Sequence, residues 1–165
     1  MSLYTIIYVS NRSRIKGKWV TTVAEMGVFL LLIKPDAVER RLVGEILARF
    51  ERRDFEIQAI RTLVPTRKLI SEHYAARRDR AYYTELVHFM TSGMVVAVAM
   101  NGSVDIARQI AGSTTVPTEH VRGTIRGDYS CDVLRNLVHV STSPSEMRLW
   151  FPGASTVEAL TELMH

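Results

Sequence analysis

A single cysteine, and only 4 lysines beside 17 arginines, are the scarcities that first constrain this chain of 165 residues. Cys131 alone cannot build an intrachain disulfide framework, so nothing in the sulfur content points to secretion. It reads instead as a small, half-buried side chain. No apolar run approaches the ~20 residues needed to cross a bilayer. Aromatic residues make up only 8% of the chain and do not interleave with a basic stripe, the pattern that favours polynucleotide binding. The net charge of +4 therefore rests mainly on arginine, whose planar fork suits multidentate recognition of small anions. The pairs Arg40–Arg41, Arg52–Arg53 and Arg77–Arg78 fall on polar helix faces and read as solvated surface. What remains, 47% apolar and 23% charged residues, is the composition of one soluble globular domain with a real core.

Residues 1–27 stand apart from the rest. Tyr4–Val9 is strand-like, Asn11–Lys18 is a basic turn, and Trp19–Val23 reads as a returning strand. The basic residues follow the apolar stretch, the wrong order for a secretory signal. A transit peptide stays open, because Arg12, Arg14, Lys16 and Lys18 face a single acid, Glu25. An arm outside the domain is the simpler account.

From Val28 the alternation of patterns is legible. Val28–Ile33 is a continuous apolar run, as expected for a strand covered on both faces. Asp36 with Glu39 resembles a capping box, and Val38, Leu42, Val43, Ile46, Leu47 and Phe50 recur at helical spacing. Phe55 to Leu63 suggests a second strand, 67–77 and 80–90 two helices, and Met94–Met100 a third strand. Val104–Ala111 reads as a short helix ended by Gly112. The stretch from Gly112 to Asp128 reads as a long, turn-rich loop, a length often associated with function. Leu137–Val140 is a fourth strand and Pro144–Trp150 a last helix. This order predicts an α+β fold, a ferredoxin-like βαββαβ antiparallel sheet with helices on one face and an inserted loop.

Two segments carry the chemistry. His139 follows two apolar residues, the pattern of a ring held on a buried strand, and Arg126 stands on a glycine-flanked turn between Gly123 and Gly127. An imidazole nitrogen is a competent covalent nucleophile, and arginine matches phosphate oxygens. Together they suggest an enzyme working through phosphohistidine. Each residue alone has a plainer reading: His139 as a satisfied core histidine, Lys34 as a strand end, Arg126 as a partner of Asp128, Tyr82 as ordinary core.

Taken jointly and in order, these residues are more specific. Leu32–Ile33–Lys34–Pro35–Asp36, Gly44–Glu45–Ile46, His73–Tyr74, Thr91–Ser92–Gly93 and Arg108 with Gly112 and Thr114 come first. Gly123 to Asp128, Arg135–Asn136 followed by His139, and Leu149–Trp150–Phe151 complete the set. From about Val28 to Pro152 the chain resembles the nucleoside diphosphate kinases. The resemblance divides it into an extension at 1–27, a kinase-like domain at 28–152 and a short tail at 153–165.

The resemblance implies ping-pong transfer of the γ-phosphate from a nucleoside triphosphate to a nucleoside diphosphate. His139 would attack through Nδ1 while Glu146 holds Nε2. Lys34 would follow the migrating phosphoryl, and Arg108 and Arg126 would clamp phosphate oxygens. Tyr74 and Asn136 would donate hydrogen bonds near the transferred group and the sugar, and Thr114 a hydroxyl to phosphate. Tyr82 would stack on the base with Val133 opposite, an arrangement tolerant of base identity because every base has a π-face. The resemblance further implies Mg²⁺ carried by the nucleotide phosphates, a cytoplasmic homo-oligomer (a tetramer or hexamer built from dimers), and neither membrane nor nucleic acid as partner.

The chain departs from the family pattern at several points. Val140 replaces the usual glycine or alanine after the nucleophile, Thr142 an aspartate, and Arg122 a proline in a slightly lengthened Thr114–Gly123 loop. The segment from His139 to the last helix is shorter by about four residues, close to the ~3.6 residues of a helical turn. Ser143–Pro144–Ser145–Glu146 also reads as a capping box, so Glu146 has two candidate roles, orienting the histidine or capping its own helix. Val140 and the shortened segment motivate the alternative, a catalytically impaired nucleotide-binding relative acting through partners.

Overall fold

The computed structural model describes residues 28–114 and 117–152, together with two paired dipeptides. These are β1 (Arg14–Ile15) and β2 (Lys18–Trp19), which run antiparallel with Arg14 opposite Trp19. The pair lies within and just beyond the stretch read as a basic turn. The expected Tyr4–Val9 strand, most of the Trp19–Val23 strand and the 153–165 tail fall outside the described residues.

The apolar run at 28–33 forms β3 (Val28–Ile33), with five of its six side chains buried. It sits inside the sheet, flanked by β5 (Val95–Asn101) and β6 (Val138–Ser141), with β4 (Glu56–Leu63) beyond β5. The order β4-β5-β3-β6 is antiparallel throughout, the βαββαβ arrangement expected. Register places Leu32 opposite both Ala97 and His139, so the candidate nucleophile is carried on the strand beside β3.

Alternation along β3 divides the core. Phe29, Leu31 and Ile33 pack on one face with side chains of α1 (Pro35–Glu39), α2 (Val43–Glu51), α5 (Val104–Ala111) and α6 (Ile125–Tyr129). Leu30 and Leu32 pack on the other with α3 (Arg67–His73), α4 (Tyr83–Met90) and α7 (Pro144–Trp150). Helices therefore cover both faces, not one as the element order suggested. A strand apolar at every position requires this, since either bare face would leave large side chains in water.

Three local differences matter for the site. The single helix expected from Asp36 to Phe50 is broken, because Arg41 adopts a positive φ of 59° between α1 and α2. Asp36 does not cap α1: the N-cap position is Lys34 without a side-chain bond, and the Asp36 carboxylate accepts from the Leu137 amide instead. Within the presumed loop, Arg126 stands on α6, N-capped by Thr124 Oγ1 accepting from Gly127 N–H at 2.9 Å, rather than on a glycine turn. A helix of 5 residues is too short to show a 3.6-residue period.

Candidate active site

The end of β3, the turn before β6 and the ends of α3, α6 and α7 meet at one edge of the sheet. Lys34 follows β3 directly and is buried. Its Nζ donates to Asn136 Oδ1 at 2.6 Å and to the Leu134 carbonyl at 3.4 Å. Burial, reinforced by the Arg126 charge and opposed by Asp36, pulls its pKa down from 10.5 to about 7. A desolvated ammonium of this kind gains most from an arriving anion.

His139 on β6 and Glu146 on α7 face each other, with 2.9 Å between Nε2 and Oε2. An ionised carboxylate only accepts, so the ring proton lies on Nε2 and Nδ1 keeps its lone pair. Burial lowers the His139 pKa against the pull of Glu146, which favours the neutral, nucleophilic ring. Burial works to raise the Glu146 carboxyl. The hydrogen bonds from His139 and the Ser141 hydroxyl, with the His73 and His139 rings alongside, outweigh it and hold the group below the usual carboxylate range. The capping question is thereby divided: Ser143 Oγ accepts from the Glu146 amide, while the Glu146 carboxylate turns to His139.

Behind this pair lies His73, whose ring meets His139 edge-on at 4.8 Å. Trp150 Nε1 donates to its Nδ1 at 3.2 Å, which puts the His73 proton on Nε2, and burial holds the ring neutral by lowering its pKa. His73, His139 and Glu146 offer three potential metal-ligating atoms within 4.8 Å of one another. Trp150 already occupies the His73 Nδ1 lone pair, and His139 Nε2 is protonated toward Glu146. The three atoms are therefore engaged with protein groups.

Arg126 is buried, and its donors reach three backbone carbonyls: Asn136 (3.2 Å), Val138 (2.6 Å) and Gly112. Gly112 has a φ of 86°, and a Cβ there would overlap Thr124, so glycine is what brings its carbonyl to the guanidinium. Between two of those carbonyls, Leu137 adopts a φ of 72°, a conformation that costs a non-glycine residue about 1–3 kcal/mol.

Two adjoining cavities open onto these groups. One, of about 500 Å³, is lined by Lys34, Tyr74, Tyr82, Thr114, Arg126, Val133, Asn136 and His139 among others. The other, of about 700 Å³, shares Thr114, Arg126 and His139 and adds Arg108 and Val140. Of the residues singled out from the sequence, eight line the first cavity, Arg108 lines only the second, and Glu146 lines neither, standing behind His139. The Arg108 side chain is largely exposed, 3.7 Å from Asp105. Tyr82 and Val133 are exposed apolar residues on the cavity wall, at 43% and 51%. The Tyr74 hydroxyl is buried without a partner among the described residues, and burial raises its pKa, so it remains a proton donor.

Four residues of this region escaped the sequence reading as site residues. Arg77, taken for solvated helix surface, lines both cavities with its guanidinium 5.7 Å from the centre of the Tyr74 ring. The helix stops at His73 and a single 3₁₀ turn, Ala75–Arg77, redirects it. His73, Ser141 and Asp36 reach the site through contacts across the fold; Asp36 and Ser141 were signalled only as polar residues at the ends of apolar strands, and His73 only as the end of a helix.

Residues 29–155 match the family model described as nucleoside diphosphate kinase. Over 130 residues the chain is 46% identical to the nucleoside diphosphate kinase of Prochlorococcus marinus, covering 75% of this chain and 85% of that one. The corresponding protein of Corynebacterium diphtheriae is 43% identical over 130 residues, covering 75% and 96%. Among solved structures, an apo nucleoside diphosphate kinase from Encephalitozoon cuniculi superposes with a TM-score of 0.75 at 34% identity, over 79% of this chain and 92% of that one. A Halobacterium salinarum nucleoside diphosphate kinase in complex with CDP gives a TM-score of 0.75 at 31% identity, over 80% and 91%.

Proposed function

Because this chain belongs to the nucleoside diphosphate kinase family, we propose that its cavity passes the γ-phosphate of a nucleoside triphosphate to a nucleoside diphosphate by way of His139. The enzyme is a phosphotransferase, and residues 28–152 form the domain that carries the reaction. The observation that supports this route best is the 2.9 Å contact of His139 Nε2 with Glu146. It fixes the tautomer whose Nδ1 lone pair is available, on a ring that lines a cation-lined cavity.

The base slides between Tyr82 and Val133, covering their exposed apolar surface without reading its edges, so purines and pyrimidines are both accepted. The phosphates lie toward Lys34, Arg126, Thr114 and Arg77, and Arg108 swings in from the adjoining cavity. Nδ1 attacks the γ-phosphorus in line; the new N–P bond forms as the bond to the β-γ bridging oxygen breaks, and the nucleoside diphosphate leaves. A second diphosphate reverses the step. Negative charge builds on the bridging oxygen as its bond to the γ-phosphorus breaks, and fixed cations stabilise it without reorganising. Tyr74 and Asn136 donate to the transferred group and the sugar hydroxyls, while Lys34 follows the phosphoryl.

Mg²⁺ enters with the nucleotide. The carboxylates lining the cavity are Glu85 and Asp132, and Asp132 already accepts from the Leu134 amide at 2.6 Å. A hard cation carried in with the nucleotide would find its oxygens chiefly on the phosphates and would supply counter-charge there.

Glu146 orients the ring through a charge-assisted bond of roughly 1.5–3 kcal/mol. Glu146→Gln is expected to slow phosphorylation about 10- to 100-fold with little change in nucleotide affinity. A rate near normal with a slightly lowered melting temperature would return Glu146 to helix capping alone.

The protein acts in the cytoplasm as a homo-oligomer, a tetramer or hexamer built from dimers. Among the described residues no helix is long and apolar enough to cross a membrane. Support for assembly comes from β4, an edge strand, and from exposed Val64 and Met94 at the Leu63–Val95 end of the β4–β5 pair.

Incubation with γ-labelled ATP and Mg²⁺ tests the whole reading. One acid-labile, base-stable phosphate per chain is expected, removable by any nucleoside diphosphate. Protein that binds nucleotide yet never takes up label would overturn it.

A further inference from the structure

Leu137, between Asn136 and His139, is held in a conformation that its side chain disfavours. Its φ is 72°, and the Val138 amide donates back to the Asn136 carbonyl at 2.8 Å. That closes a three-residue turn of the strained kind, whose central φ lies near about +75°. Turns of this kind persist only where their surroundings over-determine them.

Here the surroundings do so on every side. The Leu137 amide donates to Asp36 Oδ2 at 3.1 Å, and its carbonyl accepts from the Lys34 amide at 2.8 Å. Arg126 holds the carbonyls of the two flanking residues. The Asp36 carboxylate is buried and lines neither cavity. It caps no helix end, although it lies in the first turn of α1. Across the fold, its Oδ2 accepts from the Leu137 amide.

The turn decides where the reacting groups lie. On one side of it Asn136 presents Oδ1 to Lys34 Nζ at 2.6 Å; on the other, the chain enters β6 and carries His139 onto the wall of the same cavity. Were Leu137 to relax to a negative φ, the chain on one side would rotate relative to the other. The spacing between Asn136, Lys34 and His139 would go with it.

We propose that Asp36 is a positioning residue for phosphoryl transfer, holding the Leu137 turn so that Asn136 and His139 stand in register with Lys34. This rests on the phosphohistidine reading above. What the task needs at this position is a fixed side-chain oxygen that accepts the Leu137 N–H, which either a carboxylate or a side-chain amide supplies.

The test compares wild type, Asp36→Ala and Asp36→Asn in a single turnover of phosphorylation by γ-labelled ATP with Mg²⁺. The concentration dependence gives affinity, and thermal unfolding is followed alongside. Asp36→Ala is expected to slow the step about 10- to 100-fold, with half-saturation changed less than about threefold. Asp36→Asn, whose amide oxygen still accepts from Leu137, retains the rate to within about threefold. A purely structural role would move the melting temperature without splitting rate from affinity in this way.

A folded alanine variant as fast as wild type would overturn the proposal. So would an asparagine variant as slow as the alanine, which would leave the negative charge beside Lys34 as the cause. Should Asp36→Ala not fold, Asp36→Ser, whose hydroxyl stops short of the Leu137 amide, takes its place in the same comparison. Wild type that never takes up label speaks against the phosphohistidine reading itself; labelled wild type with an unaffected variant speaks against Asp36 alone.

Discussion

Replacing His139 with asparagine abolishes the acid-labile label and lowers nucleotide exchange by at least about 10⁴-fold, the scale on which loss of a covalent nucleophile acts. Asparagine can still present an N–H toward Glu146, so the buried carboxylate keeps a donor while the nucleophilic nitrogen is lost. Both half-reactions fail together, because phosphate neither reaches the protein from a triphosphate nor leaves it to a diphosphate. Nucleotide affinity and melting temperature, measured on the same preparation, stay near those of the wild type. A variant that still takes up one phosphate per chain would move the nucleophile elsewhere, with His73, edge-on at 4.8 Å, the first residue to examine.

Lys34→Met is expected to reduce single-turnover phosphorylation by about 10²- to 10³-fold, as loss of one preorganised charge-stabilising donor does. It also removes a proton signature. In the free protein, burial and Arg126 bring the Lys34 pKa to about 7, so at pH 8 most of the amine is neutral. An arriving polyphosphate favours the charged form, and binding at pH 8 therefore takes up as much as about one proton.

Titration calorimetry in buffers of different ionisation enthalpy reads that uptake, which Lys34→Met should abolish. Equal apparent enthalpies in all buffers for the wild type would show Lys34 already charged before nucleotide arrives. Linkage gives a companion sign for stability. Between about 7 and 10.5, the two pKa values of this residue, the unfolded chain binds the extra proton, so stability rises with pH across that window. Lys34→Met should flatten the rise.

Val140, the departure that raised the possibility of an inactive relative, fits its strand. It pairs with Leu31 and packs against the core face formed by Phe29, Leu31 and Ile33, where a β-branched side chain is favoured. The His139–Glu146 contact beside it is intact. The shortened link is accommodated too, because α7 begins at Pro144, soon after β6 ends at Ser141, and still brings Glu146 to the ring. The impaired-relative reading is not favoured.

Runs of apolar residues placed β3, β4 and β5 within a residue or two, and the serine–proline start placed α7 at Pro144–Trp150 from sequence alone. Lys34 at a strand end and His139 on a short strand were likewise visible, since each borders an apolar run whose burial is a local property. Tertiary structure alone decided between partners. Glu146 divides into an amide capped by Ser143 and a carboxylate held to His139 because α7 packs on α3 and β3, next to the strand that carries His139. Asp36 leaves its own helix for an amide 101 positions away, and Arg77 turns inward because a single 3₁₀ turn redirects the chain. Periodicity records which face of one element is buried. A buried polar group finds its partner only when elements distant in sequence meet, and desolvation then compels it to take one.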